Sequence, residues 1–595
     1  MKTHRLNRLP SLLRIFTAGA LVSAAAAMAF VAVKTSTSTS HAKISMSRFR
    51  ALHGDLFETS LGATRSGEPD PSIRDGVAEA SKKFHNGHAQ QAYDDRAYPN
   101  KWIEAAQQVT AANAAAAIAG LAPLLPGSWS ALGPSGVSAD ALVASESTPA
   151  SKGTIYSGRA TAIAVSPSCV AGNCVLFLGA AGGGVWKTPD ALAASPTWTQ
   201  VSDGVTGIPS NAIGSIVFDP TDVTNKTIYV GTGEPNGSAD SEAGVGLFKS
   251  TDGGSTWSLV KGSTQVKNAP CQSNPASFNC PVATGRSIGA IAVDPDHADH
   301  IFIGTDVARH GSSSVNGGRF TPPGSALVGL YESNDGGMSF AVAKVLSPQD
   351  TVNPASPTGG DFFRGGCSHI ELFKHGSSEQ QVYASFFDFG IFRRSQTVDG
   401  NSNFNQIFRS QGGGSVGLSS IFRTEFSLAP KVGNLRVYVG DGGSGHTPQN
   451  GVVTGIEAQF YKVDNANVAA GTLFTGGTNG GWTKLSNPDI GDAGGFASFN
   501  YCTGQCSYDM PVYSPPGSPD IVYIGGASQY GELGRRSNGR DVQRSEDAGD
   551  SFTDMTADAT GTGNQPGVAL HPDQHALATA PGMPNTLFVA NDGGL

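Results

Sequence analysis

The side chains best suited to proton transfer in this sequence are carboxylates that recur at one point of a repeated pattern. Each follows a short apolar run: Glu234 after Ile228-Tyr229-Val230-Gly231, Asp306 after Ile301-Phe302-Ile303-Gly304, Asp441 after Val437-Tyr438-Val439-Gly440, and Asp592 after Leu587-Phe588-Val589-Ala590. Asp388 follows the less regular run Val382-Tyr383-Ala384-Ser385. Two such carboxyl groups brought together could serve a hydrolytic reaction, one as acid and the other as base or nucleophile. The plain alternative is that an acidic residue after a strand is an ordinary turn former. His369, Asp573 and His575 stand at the starts of other apolar runs and, with Glu234 and Asp306, make up the expected binding set. The histidines there would orient a substrate or move protons, or simply fill space as hydrogen-bonded pairs. His571-Pro572-Asp573-Gln574-His575 has metal-ligand residue types, but the sequence assigns no third ligand, so neither a metal nor a cofactor is expected. Gly413-Gly414-Ser415-Val416-Gly417 fits the GxSxG pattern of serine hydrolases without the strand-to-helix elbow that pattern requires.

The elements that must carry these residues are strands. With 78 Gly, 34 Pro and 15% charged residues, the chain suits many short strands joined by turns rather than helical bundles. A unit recurs: an apolar strand ending in Pro, a second strand ending in a "YVG" variant, then Gly-Leu-Phe/Tyr leading into a polar turn and an aromatic. First strands read Ala160 to Pro167, Ile213 to Pro220, Ile288 to Pro295 and Ala576 to Pro581, with looser copies near His369 to Lys374, Thr424 to Pro430 and Met510 to Pro515. The alternation of large apolar and small residues is what strands facing neighbouring sheets require. Three turns are nearly identical: Ser250 to Trp257 around Asp252, Ser333 to Phe340 around Asp335, and Ser545 to Phe552 around Asp547. Glycines permit positive φ there, the Asp carboxylate accepts backbone N–H bonds within its own turn, and the aromatic plugs the gap between sheets. These three aspartates are therefore read as structural. Degenerate copies sit at Trp186 to Trp198, Phe392 to Phe404 and Tyr461 to Trp482.

From about Trp129 to Leu595 the chain resembles the Asp-box (BNR-repeat) β-propellers, the shape shared by sialidases, xyloglucanase-type glycoside hydrolases and the sortilin ectodomain. It is similar also to secreted bacterial glycosyl-hydrolase-like propellers in Arg96-Ala97-Tyr98-Pro99, Asp573-Gln574-His575-Ala576-Leu577 and Asn591-Asp592-Gly593-Gly594. The resemblance implies an all-β propeller of four-stranded blades, six to seven of them readable, with a short helical arm before it. It further implies that the second-to-third-strand loops open on one face, bringing the carboxylates together across a central channel. Those loops are long, at Glu234 to Gly244, Asp306 to Val328, Asp441 to Ala458 and Ala527 to Asp541, and long loops on a rigid scaffold are where binding usually resides. No Arg-Ile-Pro motif or arginine triad is present to clamp a sialic-acid carboxylate, which disfavours a sialidase. The resemblance to xyloglucanase-type enzymes implies glycoside hydrolysis with Asp441 and Asp592 as the expected catalytic pair, because their "Asp-x-Gly-Gly" string is echoed at Asp592-Gly593-Gly594 and at Asp441-Gly442-Gly443, but the first blade carries Ala181 at the matching place. That departure keeps open a non-catalytic propeller for protein or glycan binding. The seventh repeat stops at Leu595, where other copies continue, so the last blade reads as truncated.

Residues 1–42 read as an export signal, with Lys2, Arg5, Arg8 and Arg14 before an apolar stretch and Ala27-Met28-Ala29 as a cleavage site; the alternative is an uncleaved N-terminal anchor. Residues 43–127 read as a polar, then Ala-rich helical arm, and 128–595 as the propeller. Six of the seven cysteines fall in close pairs, Cys169/Cys174, Cys271/Cys280 and Cys502/Cys506, and are read as local disulfides of a secreted or extracytoplasmic protein rather than zinc knuckles. Cys367 is left as a buried thiol. The net charge of -9, without a basic stripe, argues against nucleic acid. The expected partner is a polysaccharide, or a glycan or protein at the cell surface.

Overall fold

The computed structural model describes residues 158–595 except 204–206, 236–241, 266–268, 272–278, 308–324, 347–364, 377–378, 411–421, 443–457, 490, 503–505, 528–540, 556–569 and 572. Before residue 158 it describes only Thr110, Ala111 and Ala114, which are helical, and a strand pair Val137–Ser138 with Ile155–Tyr156. The export signal, the Arg96-Ala97-Tyr98-Pro99 string, the GxSxG string, the tips of the four long loops and most of the helical arm therefore lie outside the described residues.

The apolar runs form six four-stranded antiparallel sheets, each a simple meander. Sheet I is Ala160–Val165, Leu176–Ala180, Gly184–Thr188 and Thr199–Gln200; sheet II is Ile213–Phe218, Ile228–Thr232, Leu247–Ser250 and Ser258–Leu259. Sheet III is Ser287–Asp294, His297–Asp306, Gly329–Ser333 and Ala341–Lys344; sheet IV is Cys367–His375, Glu379–Phe386, Gly390–Ser395 and Asn401–Phe408. Sheet V is Thr424–Lys431, Asn434–Asp441, Gln459–Val463 and Thr483–Lys484; sheet VI is Val512–Tyr513, Val522–Gly525, Val542–Ser545 and Thr553–Asp554. The first strand of each of these six sheets packs against the first strand of the next, so these strands run around one axis and the fold is a six-bladed β-propeller. The seventh repeat supplies a two-stranded sheet, VII, of Gln574–Ala580 and Met583–Asn591. It lies between sheets VI and I, touching the first strand of both.

The core is a ring of apolar clusters between successive sheets rather than one centre. Phe177 and Val185 of sheet I meet Ile213, Phe248 and Trp257 of sheet II, Tyr229 and Leu247 meet Ile288 and Tyr331, and the pattern continues around to sheet VI. The recurrent "YVG" glycine follows from this packing. A Cβ on Gly179 would stand 2.6 Å from Ile213, and one on Gly231 would stand 2.6 Å from Ile288, because the next first strand passes directly over that backbone.

The three predicted turns share one hydrogen-bond pattern. Asp252 Oδ1 accepts from Ser250 Oγ (2.9 Å) and Thr256 N (2.9 Å), Oδ2 accepts from Thr256 Oγ1 (2.7 Å), and Gly254 N donates to Ser250 Oγ. Asp335 with Ser333 and Ser339, and Asp547 with Ser545 and Ser551, repeat it. Gly254, Gly337 and Gly549 sit at φ of 87°, 84° and 85°, as such turns require. Each turn also meets its neighbour: Lys187 Nζ donates to Gly253 O (2.8 Å), Gly262 N to Gly337 O (2.9 Å) and Lys462 Nζ to Ala548 O (3.0 Å). In sheet IV the corresponding turn is instead a helical turn, Gln396–Asp399, whose Asp399 takes the buried Arg393 in a two-pronged ion pair.

All three cysteine pairs are disulfides, Cys169–Cys174, Cys271–Cys280 and Cys502–Cys506, and Cys367 is a buried free thiol whose pKa burial pushes well up. Among the described residues, no helix is long and apolar enough to cross a membrane.

Candidate functional site

Because every sheet is an antiparallel meander, first strands begin and second strands end on the same face, and the third-to-fourth turns lie on the other. The carboxylates after the second strands therefore collect on one face, opposite Asp252, Asp335 and Asp547. They are not equivalent. Glu234, Asp306, Asp388 and Asp441 are buried. Asp306 Oδ1 accepts from Val307 N (2.7 Å), and Asp388 Oδ1 accepts from Phe422 N (2.7 Å), just before sheet V. Asp441 Oδ1 accepts from Ser410 Oγ (2.8 Å) and Thr424 Oγ1 (3.1 Å). The Asp388 and Asp441 bonds tie the loops of sheet IV to the entry of sheet V, whereas the Asp306 bond is local.

Asp592 has a different setting. Its Oδ2 and Oδ1 lie 2.8 and 2.9 Å from the donating Tyr508 hydroxyl, and Oδ1 lies 2.5 Å from His575 Nε2. Tyr508 reaches it from the segment stapled by Cys502–Cys506, which leads into sheet VI. Arg159, directly before sheet I, donates from a terminal nitrogen to the Tyr508 hydroxyl (2.7 Å) and lies 3.7 Å from Glu234 Oε2. Arg423, directly before sheet V, donates to Tyr508 O (3.0 Å) and to Glu425 Oε1 (2.7 Å). The Tyr508 and His575 rings meet edge to face at 4.7 Å.

Burial alone would raise the Asp592 pKa, but hydrogen bonding to His575, the charge of Arg159 and the Tyr508 hydroxyl reverse that and hold it below the usual carboxylate range. Burial pushes the His575 pKa down against the pull of Asp592, so the ring is neutral at neutral pH and gives its Nε2–H to that carboxylate. Burial, then the adjacent Asp592 charge, pushes the Tyr508 pKa far up, so it stays a donor.

A second polar group stands beside this one. His369 Nε2 lies 3.1 Å from Glu371 Oε1, and its Nδ1 lies 3.7 Å from Glu425 Oε2. Burial opposes the His369 charge, but the hydrogen bond to Glu371 and the charge of Glu425 outweigh it and raise the pKa. His369, Glu371, Arg423, Glu425, Asp306 and His575 line one axial cavity of about 220 Å³. That is below the ~300–1,000 Å³ of sites that enclose a small molecule, so the described walls admit part of a larger ligand rather than the whole of one.

Of the residues expected from sequence, the structure brings together Asp592 with His575 directly, Asp573 with Asp592 among the donor atoms of one cluster, and Glu234 through Arg159 and Tyr508. His369 and Asp306 share the cavity with His575. Asp441 holds Ser410 and Thr424, so the expected pair Asp441 and Asp592 occupies two distinct hydrogen-bond environments. Tyr508, Arg159, Arg423, Glu371 and Glu425 had not been singled out. One signal was available: Arg159, Arg286 and Arg423 each stand immediately before a first strand, an arginine recurring in register across three repeats.

No protein-family model matches this chain. One curated relative, a xyloglucanase of Hypocrea jecorina (strain QM6a), is 28% identical over 176 residues, which is 29% of this chain and 16% of that protein. Among solved structures, an ancestral GH74 enzyme aligns at 15% identity and a TM-score of 0.41, covering 75% of this chain and 44% of its own. The GH74 xyloglucanase from Xanthomonas campestris aligns at 16% identity and a TM-score of 0.42, covering 73% and 51%. The chain matches about half or less of the length of each.

Proposed function

We propose that this protein is an exported, carbohydrate-directed propeller that receives a polysaccharide at the mouth of its central channel and hydrolyses a glycosidic bond there. The observation that carries the reading is the Asp592 cluster: a carboxylate kept ionised by Tyr508 and His575 beside a cavity that holds further carboxylates and a histidine. Glycoside hydrolysis needs two such groups in opposite protonation states. In this reading Asp592 takes the proton from the attacking water, and the proton for the leaving oxygen comes from the His369, Glu371 and Glu425 group. Asp441 positions the entry of sheet V. The stretch of likeness to a fungal xyloglucanase supports carbohydrate as the ligand class, and three disulfides suit a location outside the cytoplasm.

The second reading, a non-catalytic propeller that binds glycan or protein, is favoured by one observation. Sheet I carries buried Ala181 where Glu234, Asp306, Asp441 and Asp592 stand in other sheets. Reducing-end release from a panel of plant and microbial polysaccharides, with Asp592→Asn and Glu371→Gln beside the unaltered protein, separates the two. Turnover that falls ~10²- to 10⁴-fold in both variants supports hydrolysis, as expected for loss of an acid or base. Binding without turnover by the folded protein supports the second reading and overturns the first.

A further inference from the structure

The segment entering sheet VII carries His571 and Asp573, and the strand that closes the sheet is followed by Asp592. One donor atom from each of these three side chains lies within 4.8 Å of the other two. The sequence offered only the first two, because Asp592 is 19 residues beyond Asp573 and is returned to it by the hairpin of sheet VII. The three sit partly or wholly inside the protein, with side-chain exposures of 20%, 10% and 22%.

Their orientation is that of ligands. His571 Nδ1 accepts from Asp573 N (3.3 Å) and lies 3.6 Å from Asp573 Oδ2, so the imidazole and the carboxylate are held side by side. Asp592 is held from behind by His575 Nε2 and the Tyr508 hydroxyl, which occupy two of its roughly four lone-pair positions and aim the carboxylate, as outer partners of metal ligands do.

We propose that His571, Asp573 and Asp592 bind one divalent cation where sheet VII joins the ring. One imidazole and two carboxylates suit a cation of intermediate hardness, Mn²⁺ or Zn²⁺, better than Ca²⁺, which takes about six to eight oxygens. Bonds of about 2.1 Å place donors no more than about 4.2 Å apart, so the three ligands close by a fraction of an ångström on binding. The site stands whether or not a sugar is cleaved, since it rests on ligand placement alone.

The test is titration of the EDTA-treated full chain with Mn²⁺, Zn²⁺ and Ca²⁺, followed by calorimetry and, for Mn²⁺, by electron paramagnetic resonance. One equivalent of Mn²⁺ or Zn²⁺ should bind, and raise the melting temperature. His571→Ala and Asp573→Asn should each weaken binding at least tenfold while keeping the metal-free melting temperature, and Glu332→Gln, remote from the site, should bind as the unaltered protein does. His571→Ala serves where an aspartate variant fails to fold. No binding at millimolar Mn²⁺ and Zn²⁺, equal binding by the folded His571→Ala variant, or Ca²⁺ bound as tightly as Mn²⁺ would each overturn the assignment. Polysaccharide turnover plays no part in these readouts, so failure here leaves the hydrolase reading to its own experiment.

Discussion

Tyr508→Phe removes a single oxygen and leaves the ring that packs on His575. That oxygen donates to Asp592 at 2.8–2.9 Å and accepts from Arg159 at 2.7 Å, both contacts being to charged groups, in a residue only 9% exposed. A hydrogen bond to a charged group contributes about 1.5–3 kcal/mol. The two bonds share one hydroxyl and do not add, so the expected loss is about 2–3 kcal/mol of folding free energy, read as a lower guanidinium midpoint by tryptophan fluorescence. If the cluster holds the reacting carboxylate, the same loss appears in kcat/KM as a fall of roughly 30- to 150-fold, since a tenfold change is about 1.36 kcal/mol. A double-mutant cycle with Asp592→Asn isolates the pair. A coupling energy under ~0.5 kcal/mol, with the single variant as stable as the unaltered protein, would refute the placement of this hydroxyl as the keeper of Asp592.

On the other side of the ring, Glu332 of sheet III takes Arg394 of sheet IV in two parallel 2.7 Å bonds and His300 Nε2 at 2.6 Å. Burial would raise the Glu332 pKa, but Arg394 and His300 overcome it and hold the group at about 2, against an ordinary 4.5; Glu332 itself is the main cause of the raised pKa of His300, ordinarily 6.5. The depressed carboxyl contributes stability that is present above pH 4.5 and lost as pH falls towards 2, and the raised histidine contributes stability present below pH 6.5 and lost as pH climbs through its raised value. Glu332→Gln should therefore destabilise most between those limits and converge on the unaltered protein at low pH, which thermal melts from pH 2 to 8 will show. Gly254→Ala places a Cβ 2.7 Å from Phe177 at a φ of 87° and should cost about 2 kcal/mol or more. Gly433→Ala, at φ of 71° with nothing within 4 Å, should cost only about 1 kcal/mol, and equal melting shifts in the two would contradict the inter-sheet contact. Replacing Cys502 and Cys506 by Ser opens a short loop and should remove roughly 2 kcal/mol on the chain-entropy account, measured by chemical denaturation. Cys367 should react with a thiol reagent only after unfolding, because it is buried and its pKa is raised.

Much of the architecture was legible in the sequence because it is written in short-range terms. Alternating residues, a proline near the end of most first strands and a glycine near the end of most second strands reveal the repeat, since a two-residue period and a close backbone approach leave local marks. The Ser250, Asp252, Gly254 and Thr256 spacing states its own turn, because every bond in it spans at most four residues. The disulfides were readable for the same reason, each closing a loop of 4 to 9 residues.

The site was readable only in part. Asp441 ends a second strand and Asp592 directly follows one, and both precede two glycines, so their sequence context is nearly the same. Tertiary structure separates them: Asp441 meets the hydroxyls of Ser410 and Thr424, whereas Asp592 meets Tyr508 and His575. His575 comes from sheet VII itself, but Tyr508 and Arg159 come from the adjoining sheets' entries. Arg159 and Tyr508 touch across 349 residues, and Tyr508 reaches Asp592 across 84, because the seventh repeat lies against both the sixth sheet and the first. Which partners each carboxylate meets depends on segments brought in by the adjoining sheets, and local periodicity carries no record of them.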